Sequence, residues 1–321
     1  MTGRSHRFGL SPRFEKISEV QHKGIRAGRI SREVLPYLLS LPALLVCIGI
    51  LIPFGTAIWY SLQRYRLSQP WNRGMNWGEN YLNFLSEPDF WNTLQVSLVY
   101  AGLTVVLELL LGLGIALLLR RRTRLNNFIS VILLMPLMTA PVLAALMFKL
   151  MTNPNFGILS YFMQLAGFED FRWGSDPSTA LFTVILVDIW VYTPFMMILL
   201  LAGLRSLPPQ PFEAAALDGV PRWQQFWRIT LPMLMPYVLT ASLFRLLDSI
   251  QQFDIIYALT QGGPGDTLMV FQVEAYLNFF QSTNIGRSAA LLIILWAITF
   301  VLSNMFVKNW LRLRERARGE I

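Results

Sequence analysis

The sequence predicts an all-α integral membrane protein with six transmembrane helices, and three observations carry that prediction. The 321 residues are 54% hydrophobic and 14% charged, against roughly 25% charged residues in an average soluble domain. Six stretches reach the length of about 20 largely apolar residues that a helical span requires: 35–62, 93–119, 128–148, 179–204, 231–253 and 288–307. Basic residues, finally, collect on one side of the alternation these spans impose. Twenty of the 27 Lys and Arg lie before residue 34, in 120–124, in 205–228 or from Lys308 onward, whereas the opposite loops hold five, Arg64, Arg66, Arg73, Arg172 and Arg287. By the positive-inside rule both termini are expected in the cytoplasm. The formal charge of +8 is therefore a signal of topology and not the footprint of a nucleic-acid partner.

Taken in order, a basic tail over 1–33 precedes a membrane domain over 34–308, and a second basic tail follows over 309–321. The first span is too long for the apolar core of a cleaved signal peptide, 7 to 15 residues, and is expected to stay as an anchor. Its Cys47 is the one cysteine of the chain and can form no internal disulfide. After the fourth span, "SLPPQ" offers Ser206 as a cap and prolines suited to a first helical turn. A short helix should follow over 211–217, with Phe212, Ala215 and Ala216 on one face and Glu213 near the positive N-terminal end. Gly219 would end it in a left-handed conformation. Trp223, Phe226 and Trp227 suit a membrane interface, and Leu231 and Pro232 begin the fifth span. "TQGGPGDT", 260–267, lacks both the lysine and the strand-to-helix setting of a phosphate loop and is expected to be a turn.

Several chemistries are excluded. None of the four lysines follows a glycine, so the Gly-Lys-Ser/Thr end of a P-loop is absent. His6 and His22, the two histidines, both lie in the N-terminal tail, which leaves no intramembrane His metal centre, His-dependent triad or H-E-x-x-H helix. The chain itself is expected to be non-catalytic and to carry no cofactor or metal.

Two features point to function. Charges within the predicted spans are costly, on the order of 3 kcal/mol each at the bilayer centre, and so tend to face protein or water. Arg245, Asp248, Ser249 and Gln252 fall at offsets of three, four and seven along the fifth span, one face of a helix, and Asp188 and Tyr192 do the same in the fourth. These residues and Gln251 are candidates for a substrate path. Arg245, Asp188 and Asp248 could equally pair with one another and hold helices together, and Glu108, alone in the second span, is expected to make an interhelix contact. The second feature is the polar interruption at 205–230, which reads either as an interfacial loop helix or as a docking element for a cytoplasmic partner.

Here a resemblance becomes specific. Glu213-Ala214-Ala215, three residues, Gly219, nine residues, then Ile229-x-Leu231-Pro232 resembles the EAA loop of permease subunits in binding-protein-dependent ABC importers. "SLQRYRL" after the first span, "DIWVYTPFMMILLLAGL" in the fourth and "FRLLDSIQQFDIIYALTQGGPG" across the fifth are similar to the maltose-type carbohydrate branch, and the Gly-Gly-Pro loop to the subunit related to the larger maltose permease. The long periplasmic insert of that larger subunit is missing. The resemblance implies the type I importer permease architecture, in a bacterial inner membrane. It makes 213–219 the coupling helix seated on a cytoplasmic ATPase, with ATP and Mg bound by the partners. Those partners are a second permease, two ABC ATPase subunits and an extracytoplasmic binding protein that delivers a saccharide. Neutral oligosaccharides are the default cargo, while Arg245 and Arg64, Arg66 and Arg73 leave an acidic, uronate-type one open. An ion-gradient-driven secondary transporter is the competing reading; it would show inverted repeats of broken helices, and no internal repeat is evident.

Overall fold

The computed structural model describes residues 35–318. The N-terminal tail 1–33, with His6 and His22, and the last three residues of the C-terminal tail lie outside the described residues. The chain divides into two units, one ending at Thr56 and one starting at Ala57. The first holds most of α1 (Leu35–Ser61), a continuous helix that includes Pro42 and Pro53. Val46, Ile50 and Leu51 are exposed on it, an apolar surface suited to lipid.

In the second unit a small antiparallel hairpin pairs β1 (Gln63–Arg64) with β2 (Gly74–Met75). The Asn80 amide of α2 (Glu79–Ser86) donates to the carbonyls of Ser61 and Gln63 at 2.7 and 3.1 Å, satisfying backbone that the hairpin leaves open. Next comes α3 (Pro88–Leu118), with Glu87 as its N-cap. Arg287 hydrogen-bonds both oxygens of Glu87, at 2.7 Å from Nη1 to Oε1, and holds that carboxyl below its ordinary range.

The predicted third span is not one helix. Residues 124–138, with α4 (Arg124–Leu133) and a 3₁₀ turn at Pro136–Met138, meet α5 (Pro141–Met151) at a bend of 91°. Hydropathy runs unbroken through the bend, but Pro136 and Pro141 each remove a backbone donor, and Ala140, before a proline, is driven to extended φ/ψ of −61° and 131°. Then follow α6 (Ile158–Leu165) and α7 (Pro177–Ser206), started by an Asp176 cap on the Ser178 N–H at 2.8 Å. A Cβ on Gly112 of α3 would lie 2.7 Å from Met196 Cβ and 2.9 Å from the Met197 nitrogen of α7, so glycine is what lets these two helices touch.

Beyond α8 (Gln210–Leu217), α9 (Arg222–Gln225) runs through a π-helical turn at Phe226–Thr230 into α10 (Leu231–Ile250). The expected start of a new helix at Leu231-Pro232 is therefore a continuation. The wider π turn accommodates Pro232, which has no N–H to donate backward. The helix also stops three residues before its predicted end at Phe253, so Gln251 and Gln252 sit in a break ahead of α11 (Asp254–Thr260). The 260–267 segment is a turn, with Gln261, Gly262 and Gly265 at positive φ. After α12 (Phe271–Phe280), α13 (Ile285–Arg318) carries the sixth span and extends as helix through most of the expected C-terminal tail.

Among the described residues five helices are long and apolar enough to cross a membrane, and the bent pair makes a sixth if it counts as one span. Arg122, Asn83, Phe168 and Thr267 are all exposed, so single cysteines there, in a Cys47→Ser background, report sidedness directly. In intact cells a membrane-impermeant thiol reagent should label positions 83, 168 and 267 and spare 122. Residue 168 is the critical probe: protection there would mean that the bent pair is a re-entrant hairpin returning the chain to the side of Arg122.

Candidate functional site

The break after α10 shapes the main cavity. With no helix to hold them, Gln251, Gln252 and Phe253 join Asp248 and Asp254 on the wall of a cavity of about 930 Å³ that also takes Tyr192 from α7 and Gln272, Tyr276, Phe279 and Phe280 from α12. The aromatic side is built in pairs. Phe253 stacks on Tyr257 with centroids 4.9 Å apart and planes at 14°, and Tyr276 sits 5.0 Å from Phe253 and 4.6 Å from Phe280. A cavity with an aromatic face and a few convergent polar groups is the ordinary form of a small-ligand site.

Of the candidate path residues, Tyr192, Asp248, Gln251 and Gln252 line this cavity, whereas Asp188, Arg245 and Ser249 do not. Those three are buried behind it. Arg245 is 1% exposed and reaches Glu108 through two hydrogen bonds, Nε to Oε2 at 2.6 Å and Nη2 to Oε1 at 2.9 Å. It also donates to Asp188, and through Nη1 to Asp248 Oδ2 at 2.9 Å. One guanidinium thus ties α3, α7 and α10 together, and Glu108, expected only as an interhelix contact, is its bidentate partner. The network reaches the cavity at three points: the Arg245 guanidinium carbon lies 4.0 Å from the Tyr192 ring centroid, the Gln252 amide donates to Asp188 Oδ1 at 3.2 Å, and the Asp248 side chain remains 55% exposed. Ser249 instead pairs with Thr104 across α10 and α3, Oγ to Oγ1 at 2.7 Å.

Sequence reasoning missed the aromatic wall. "FQVEAYLNFFQ" carries it, but the segment falls between two recognised spans and read only as a connection; its density of Phe and Tyr beside Gln was the available signal.

At the other candidate site, α8 begins at Gln210 with Pro209, not Ser206, as N-cap. Ser206 instead meets the Gly203 carbonyl at 2.8 Å and the Tyr237 hydroxyl at 2.8 Å. Phe212 and Ala215 turn inward, while Glu213, Ala214, Ala216 and Leu217 are exposed, so of the three residues expected on one face Ala216 is the one left open to a partner. The end is a Schellman motif: the Val220 N–H donates to the Ala215 carbonyl at 2.9 Å and the Gly219 N–H to that of Ala216 at 3.2 Å, with Gly219 at φ 68°. Leu217 is 89% exposed, an uncovered apolar knob beside a carboxylate. Ile229, Leu231 and Pro232 lie on the π turn and the start of α10, in the stem that joins this helix to the cavity-bearing one.

A bundle of apolar spans with a polar and aromatic cavity within it, and a short exposed helix on a connecting loop, defines the class: a membrane transport permease. The chain belongs to the binding-protein-dependent transport system inner membrane component family, whose model matches residues 108–313. It is 34% identical over 279 residues to the trehalose/maltose transport system permease protein MalF of Thermococcus litoralis, covering 87% of this chain and 92% of that one. To the trehalose transport system permease protein SugA of Mycobacterium tuberculosis it is 31% identical, over 87% of this chain and 90% of that one. A solved bacterial ABC transporter involved in the import of the acidic polysaccharide alginate shares the fold, with a TM-score of 0.74 at 20% identity over 89% of this chain and 99% of that one.

Proposed function

We propose that this chain is one of two permease subunits of an ATP-driven importer and forms half of the path for a saccharide handed over by an extracytoplasmic binding protein. The aromatic and polar cavity is the observation that carries this reading. Flat aromatic faces suit the apolar faces of sugar rings, and Gln251, Gln252, Gln272 and Asp248 offer hydrogen bonds to hydroxyls. Names of relatives that transport trehalose and maltose support the same cargo class. Energy comes, in place of an ion gradient, from two separate ABC ATPase subunits that bind ATP and Mg, one of which seats on α8 and the other on the second permease. Both termini are cytoplasmic in this reading, on the side where the basic segments collect.

Closure of the ATPases would move α8, and the stem through the π turn would carry that motion into α10, whose far end bears Asp248 and the glutamine break. The cavity would thereby change shape when ATP is bound or hydrolysed. The test is transport in the assembled complex. Loss of one hydrogen bond to sugar costs roughly 0.5 to 1.5 kcal/mol, so Gln252→Ala should weaken apparent transport affinity by a factor of about 2 to 13 and leave the affinity of the binding protein unchanged. Tyr276→Ala, which removes a stacking face, should do at least as much. Wild-type transport in both variants would move the path away from this cavity.

A further inference from the structure

The cavity is lined by carboxylates and by no cation. Asp248 and Asp254 are on its wall, and among the described residues that line it there is no Lys or Arg. Arg245, three residues before Asp248, is committed inward to Glu108 and Asp188 and is covered from the cavity. Three carboxylates, Glu108, Asp188 and Asp248, therefore meet one guanidinium, and Asp254 adds a fourth acidic side chain, on the wall. On this subunit's side of the path the charged side chains of the wall are therefore all acidic.

Geometry sharpens the effect. The Arg245 bond holds Asp248 through Oδ2 while more than half of that side chain stays exposed, so the carboxylate is fixed as an acceptor for hydroxyl or ammonium donors. A ligand carboxylate placed there would meet a like charge in surroundings of lower dielectric than water, where repulsion over a few ångströms is severe. Hydroxyls of a neutral sugar, by contrast, only donate to it.

We propose that this cavity selects neutral saccharides and amino sugars against the corresponding uronates; the inference rests on its being the saccharide site. The alternative that Arg245 receives an acidic sugar is disfavoured by the same geometry, because all three of its bonding nitrogens already donate to carboxylates.

The experiment measures binding to the complete importer complex in nanodiscs without its binding protein, so that the selectivity of that protein does not enter. Saturation-transfer NMR is read on trehalose and maltose and, for each, the analogue with one glucosyl residue replaced by glucuronosyl and the analogue with one replaced by glucosaminyl. We expect the glucuronosyl form to bind at least roughly tenfold more weakly than its neutral parent, and the glucosaminyl form to bind as well as the parent or better. Asp248→Asn with Asp254→Asn should shrink the penalty on the glucuronosyl form several-fold. Tyr276→Ala should weaken every sugar by a similar factor. Equal or tighter binding of the glucuronosyl sugars, or a penalty untouched by the double substitution, would overturn the charge selection while leaving the saccharide site in place. Absence of binding by every sugar, or binding that Tyr276→Ala leaves intact, would remove the saccharide site itself and the selection with it.

Discussion

Gly219→Val is expected to leave the chain inserted and assembled but to uncouple it, with substrate-stimulated ATP hydrolysis falling roughly five- to thirtyfold. The cause is backbone and not space. Nothing lies within 4 Å of where a Cβ would be built, but φ is 68°, and an L residue in the left-handed region costs about 1–2 kcal/mol, more when it is β-branched. Valine would escape by leaving that region. The two Schellman bonds from Gly219 and Val220 would then break, and the exposed face of Glu213, Ala214 and Leu217 would lose its fixed direction. Asparagine tolerates the same φ, so Gly219→Asn should retain most of the coupling. Glu213→Lys attacks the same docking surface through charge, leaving the backbone alone, and should also suppress stimulation. ATPase assays on the complex in nanodiscs with sugar-loaded binding protein decide the matter. Wild-type stimulation in both Gly219→Val and Glu213→Lys would refute α8 as the coupling helix.

What the sequence makes legible is whatever local chemistry dictates. Five spans, the short helix and its glycine end all follow from apolar length, proline placement and a positive φ, each decided within a few residues. The bend in the third span escaped a hydropathy reading because Pro136 and Pro141 interrupt hydrogen bonding without interrupting apolarity. The early end of α10 escaped it for a similar reason: Gln251, Gln252 and Phe253 continue the helical periodicity on paper but belong to a break in the chain. Nonlocal features were the least legible. Arg245 and Glu108 are 137 residues apart, and no spacing rule pairs them. Tyr276 and Phe280 become cavity walls only because α12 folds back beside the end of α10. The charges could be found, but not the direction each one faces, and that direction separates a structural arginine from one that meets cargo.

Arg245→Ala should therefore damage assembly for every substrate alike. Removing the guanidinium leaves Glu108 and Asp188, both 0% exposed, with no cation among their described partners, and breaking a buried pair from one side costs about 3–5 kcal/mol. The expected result is low yield of complex and a lowered thermal midpoint. Arg245→Lys should recover little, since a single ammonium cannot match the bidentate contact to Glu108 while reaching Asp188 and Asp248. Neutralising the buried acids is the sharper test. With Glu108→Gln and Asp188→Asn added to Arg245→Met, which keeps most of the side-chain volume, no uncompensated buried charge remains, and stability should return to within about 2 kcal/mol of the parent because replacing a buried ion cluster by uncharged groups of similar volume is often near neutral. A substrate-contacting arginine predicts a different pattern: Arg245→Ala assembles normally and loses only acidic sugars, and the added substitutions bring nothing back. Normal assembly of the single variant would show that the guanidinium is not what holds α3, α7 and α10 together, and would return Arg245 to the substrate path from which its three carboxylate partners now withdraw it.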